Sequence, residues 1–139
     1  MSTMREKIIQ YEQKLLLFNG YDIDIRLAYT ILPSLQLHVK HNQMDLILLK
    51  ASNFLNDIYR SYLCVCFPPN LIAASALLMS MLFLKIQTEE MTFSQQLLDK
   101  LNTNNTNLQN FPFKLLFDVE ADEVLSLAKF CYQFLKIIK

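Results

Sequence analysis

The chain has 139 residues, 53% of them hydrophobic and 19% charged, and its thirteen basic and thirteen acidic side chains cancel. That length and apolar content fit one compact domain with a sizeable core. The balanced charge excludes general electrostatic attraction to DNA, RNA or anionic lipid, and a single glycine excludes the phosphate-cradling loops that need several.

The first element predicted is a helix over about Met4–Phe18. Thr3 followed by Glu6 forms a capping box. Met4, Ile8, Tyr11, Leu15 and Phe18 fall on one face at helical spacing. Gly20 after Asn19 supplies a left-handed stop. The alternation Asp22-Ile23-Asp24-Ile25 is too short for a paired sheet and reads as an extended linker.

A second helix is expected within Leu27–Lys40, where Pro33 either kinks it or marks its true first turn. A third is expected over Met44–Cys64, with Met44, Ile47, Leu48, Ala51, Leu55, Ile58 and Tyr62 tracing an apolar stripe. Phe54 and Leu63 widen that stripe. The fourth opens at Pro68-Pro69, where proline suits a first turn, and runs to about Ile86. It is apolar all round and rich in small residues (Ala73, Ala74, Ser75, Ala76, Ser80), as suits the centre of a bundle. No residue from Ser61 to Leu84 is charged. The prolines interrupt that stretch, and Leu71–Leu84 falls short of the about 20 residues that span a bilayer, so a buried helix is expected rather than a membrane span.

A short fifth helix is expected over about Phe93–Leu101, with Thr92 and Gln95 as its capping box. The Asn/Thr-rich run 102–110 reads as an inserted loop. The last helix is expected over Glu120–Ile138. Asp118, Glu120, Asp122 and Glu123 crowd its start and Lys129, Lys136 and Lys139 its end, an order that suits the helix dipole. Val124, Leu127, Cys131, Phe134, Leu135 and Ile138 make its buried face.

Few residues offer chemistry. Cys64, Cys66 and Cys131 are an odd number, and the charged start (Arg5, Glu6, Lys7) does not read as a signal peptide. Free thiols in a reducing compartment are expected. Cys64 and Cys66 with the only histidines, His38 and His41, lack the ligand spacings of a zinc site. The acids at 118–123 are explained by the helix start. Asn53, Asn56, Asp57 and Arg60 form a solvated or loop-bracing face. No catalytic residue, cofactor or metal is expected, and the residues taken alone describe an all-α domain that packs against a partner.

The stretch Ala51–Ala76, reading ASNFLNDIYRSYLCVCFPPNLIAASA, resembles the second cyclin box of transcription-type cyclins, the group of cyclins C, H, K, L and T. Within this stretch the match with cyclin C looks best. Phe54, Asn56, Asp57, Arg60, Leu63, Cys64, Phe67, Pro69, Ile72, Ala73 and Ala76 sit at matching places in the family pattern, a helix with Asn-Asp and Arg, then Leu-Cys, an aromatic, Pro-Pro and Ile-Ala. Two flanks extend the likeness. Glu12 to Ile25 is similar to the end of the first cyclin box, and Phe117-Asp118-Val119 with the last helix resembles the close of the second box.

The resemblance implies a cyclin-like five-helix domain, the C-terminal cyclin box, over residues 26–139. Residues 1–25 are then the last helix of a first box and its linker. It implies a nuclear regulatory subunit that binds a cyclin-dependent kinase, helps set its active conformation, and acts on the RNA polymerase II machinery, with other transcription-complex subunits as further partners. Glu12 matches the family's kinase-facing glutamate. The lysine that pairs with it in the family lies on an earlier helix that has no counterpart here, and Asn19 replaces the family's leucine before Gly20. The alternatives are a nucleic-acid-binding domain of the same fold, as in transcription factor IIB, which would call for a basic surface, and a helical scaffold that binds no kinase.

Overall fold

The computed structural model describes residues 3–87, 90–95 and 111–138, with side chains through 133. The chain is predominantly helical.

Helix α1, Met4–Phe18, begins and ends where its capping residues dictate. The Thr3 Oγ1 accepts from the Glu6 amide and the Glu6 carboxylate accepts from the Thr3 amide at 2.8 Å, which satisfies two otherwise orphaned donors. At the far end the Gly20 amide donates to Leu17 O at 3.2 Å and the Tyr21 amide to Leu16 O at 2.9 Å. This is a Schellman closure, with both Gly20 and Tyr21 in the left-handed region. Residues 22–27 are irregular, as expected of the linker.

The segment expected to form one second helix is instead three pieces. Helix α2 spans Ala28–Ile31, a 3-10 turn spans Pro33–Leu37, and Val39–Lys40 forms strand β1. Pro33 has no amide hydrogen, so it opens the 3-10 turn rather than continuing α2. Strand β1 pairs antiparallel with β2, Thr92–Phe93, in the register Val39 with Phe93 and Lys40 with Thr92. The expected capping role of Thr92 gives way to this pairing: its Oγ1 donates to Lys40 O at 3.1 Å. Phe93 therefore does not start the helix, Gln95 is already helical, and the rest of the expected fifth helix from residue 96 and the 102–110 loop lie outside the described residues.

Helix α3 covers Met44–Tyr59, shorter than the span expected to Cys64. Ser61 ends it by local competition for backbone groups. Its amide and its hydroxyl both donate to Ile58 O, at 3.0 and 2.7 Å, and its Oγ accepts from the Leu63 amide at 3.3 Å. A single further turn, α4 (Leu63–Cys66), leads to Pro68.

Helix α5, Pro69–Leu84, is the axis of the fold. Pro69 takes its first turn, and Leu71 to Leu77 and Met79 to Met81 are all buried. It packs against α3 on one side and against the last helix on the other, with α2 as a further neighbour. Ala73, Ala74 and Ala76 are wholly enclosed; with no side chain beyond Cβ they let the flanking helices approach. Facing them on α3 are Met44, Ile47, Ala51, Leu55 and Ile58, the buried positions of a three-four repeat.

The C-terminal part is α6, Phe113–Phe117, followed by α7, Ala121–Ile138. Helix α6 was not expected. It ends at Asp118, which adopts the left-handed conformation, and its phenylalanines continue a ladder from β2. Phe93 meets Phe111 at 6.1 Å, Phe111 meets Phe113 at 4.8 Å and Phe113 meets Phe117 at 6.3 Å between ring centroids. Val124, Leu127, Ala128 and Cys131 make the buried face of α7. The Ser75 hydroxyl donates to Val124 O at 3.4 Å and ties α5 to α7. Phe134, Leu135 and Ile138, expected on the same face, lie where side chains are not described.

Candidate functional site

No residue of α1 is buried. Its apolar stripe faces outward: Met4, Ile8, Tyr11 and Leu15 are exposed and Phe18 is 93% exposed. Burying a large apolar side chain from water is worth about 1.5–3 kcal/mol, and contiguous exposed apolar patches are uncommon on monomeric proteins. The apolar surface continues through Tyr21, Ile23 and Ile25 of the linker, all exposed.

Glu12 lies on this helix, exposed. Its neighbours three and four residues away are Ile8, Ile9, Leu15 and Leu16, so the carboxylate rises among four exposed apolar side chains on the helix surface. An exposed charge in such a setting gives little to helix stability. Arg5 lies on the same face about two turns before Glu12, and Lys14 stands over the Tyr11 ring at 5.7 Å.

The Asn-Asp-Arg face of α3 divides. Asn56 accepts from the Tyr29 hydroxyl at 2.6 Å, and the neighbouring Tyr59 hydroxyl accepts from the Ala28 amide at 3.0 Å. Tyr29 and Tyr59 stack at 5.1 Å. Burial, and secondarily the neighbouring Tyr59, push the Tyr29 hydroxyl pKa above its ordinary value. Asn56, itself exposed, thus braces the start of α2, while Asn53 and Arg60 are exposed and Asp57 is half-buried, so the face expected to be solvated or loop-bracing is both. Other residues that carry the family likeness are structural: Leu63, Ile72, Ala73 and Ala76 are buried and Pro69 starts α5.

Compared with protein-family models, curated proteins and solved structures, the chain matches none.

Among the described residues no group of three or more histidine, cysteine or acidic side chains is placed to hold a metal ion. His41 faces Glu90 at 3.5 Å. Cys64, Cys66 and Cys131 are free thiols. Burial pushes the Cys131 thiol up to about 11, which keeps it protonated and unreactive, while Cys66 is exposed. No described helix is long and apolar enough to cross a membrane.

Proposed function

We propose that this chain is a cyclin-like regulatory subunit that binds a cyclin-dependent kinase of the transcriptional class and works in the nucleus, rather than a catalyst in its own right. The observation that carries the reading is the chain order of its parts. A free-standing amphipathic helix presents Glu12 among exposed isoleucines and leucines, and a helical body follows in which the Asn56-to-Ala76 run turns from α3 into a buried axis. In the family this order places a kinase-facing helix before a box that supports it. Zero net charge argues against the DNA-binding use of the same fold.

In this reading α1 supplies the apolar area for docking and Glu12 the register. The body is then the rigid platform from which the helix projects, and it offers surface to other transcription-complex subunits. The test is co-purification of the full chain with a recombinant transcriptional cyclin-dependent kinase, beside Glu12→Ala. The kinase is recovered with the parent chain and recovered less with the variant, whose circular dichroism is unchanged because Glu12 touches no core residue. Equal recovery with both removes Glu12 from the contact. No kinase recovered with the parent chain leaves the helix to a partner of another kind and refutes the proposal.

A further inference from the structure

A groove of about 530 Å³ runs between the α4–α5 corner and the first half of α7. Its apolar wall is Phe67, Leu71, Leu127 and Phe130, and Asp122 and Glu123 stand at its edge. Phe67 and Leu71 flank the proline pair that starts α5. Asp122, Ser126 and Phe130 form one row of α7, each four residues from the next, so the acids stand at one end of the row and the aromatic ring at the other. Leu71 and Leu127 are buried in the floor, while Phe130 stays 45% exposed above them.

The charges near this groove are unequally compensated. Lys114 pairs with Asp118 at 3.3 Å and with Glu120 at 3.1 Å, so the two acids that precede α7 already have a cation. Asp122 and Glu123 take part in no ion pair among the described residues. The result is an apolar trough with two carboxylates at one end that meet no cationic side chain among the described residues. Such a surface repels nucleic acid and anionic lipid and favours a segment that is apolar at one point and cationic beside it.

From this charge complementarity we infer that the α5–α7 groove is a second docking site, for a short extended segment of a partner protein. That segment carries one large apolar side chain, seated over Leu71 and Leu127, and lysine or arginine placed to meet Asp122 and Glu123. The volume lies within the range of ligand sites, and both its charged groups stand at one end, which suits a directional peptide. The inference uses residues of the body alone and does not depend on the kinase reading of α1.

The test is selection of random dodecapeptides displayed on phage against the immobilised full chain, followed by fluorescence anisotropy of the most enriched peptide. The enriched set is expected to combine Leu, Ile, Phe or Trp with one or more nearby Lys or Arg. Asp122→Asn with Glu123→Gln weakens binding about tenfold, as two exposed charge contacts allow, and the parent affinity falls with added salt. Ser126→Trp, a substitution at an exposed helix position that fills the trough, abolishes binding while circular dichroism remains that of the parent. No enriched peptide, enrichment without basic residues, or binding that survives both variants overturns the inference. None of these outcomes bears on α1, because kinase co-purification reads that helix separately.

Discussion

Replacing Ala74 by leucine tests the placement of α5 at the centre. Ala74 is wholly buried, and so are its neighbours Ala73, Ser75 and Ala76, on a helix flanked by α3 and α7. Leucine and alanine have similar helix propensities, so the substitution acts through packing alone. Extra carbon atoms in a filled interior force side chains off their rotamers or shift the backbone, at a cost of about 1–3 kcal/mol. In a domain of this size that lowers Tm by roughly 3–15 °C. Thermal and urea unfolding followed by circular dichroism measure it, with an unchanged urea slope expected, since the surface exposed on unfolding is the same. Leu82→Ala on the same helix is the control: Leu82 is 63% exposed, and a change there stays within about 0.5 kcal/mol. If Ala74→Leu melts with the parent, the small residues of α5 are not the contact surface described, and the architecture falls with them.

Lys85→Gly is expected to stabilise the protein by about 1 kcal/mol, because Lys85 closes α5 in the left-handed region at φ 57°, which costs a side chain about that much; an unchanged or lower melting temperature refutes it. Alkylation at pH 8 followed by mass spectrometry is expected to modify Cys66 quickly and Cys131 only after unfolding, and equal rates contradict the burial of α7. The raised Cys131 pKa also has a thermodynamic sign. The thiol ionises near 9.0 in the open chain and near 11 in the fold, so its contribution is fully present below about pH 9 and is lost as pH rises toward 11. Cys131→Ala flattens that part of the stability curve.

Sequence reasoning reached those parts of the fold whose signals are local. Thr3, Glu6 and Gly20 bounded α1, the proline pair opened α5, and the acid-to-base gradient marked α7. It failed where distant chain decided the outcome. Val39–Lys40 becomes a strand because Thr92–Phe93, far along the chain, pairs with it. Helices α5 and α6 both end on left-handed residues that are not glycine, Lys85 and Asp118, so no stop signal announced either boundary. Ser61 ended α3 by hydrogen bonds to Ile58 that a polar residue in a helical pattern does not advertise. The apolar stripe of α1 was legible but its direction was not, since periodicity marks a face and not what covers it. Glu12 was singled out by resemblance alone. The α5–α7 groove was missed because Phe67, Leu71 and Leu127 read as ordinary core, and the acids beside them as a helix start.

Hydrogen–deuterium exchange of the full chain, alone and with a recombinant transcriptional cyclin-dependent kinase, tests the central claim most directly. Alone, the amides of residues 4–18 are expected to exchange fast, because nothing buries that helix, while those of Leu71–Met81 exchange slowly. With the kinase, protection is expected to rise across α1 and to stay constant in α5. Exchange in α1 that is as slow as in α5 without a partner, or that the kinase leaves unchanged, contradicts the account.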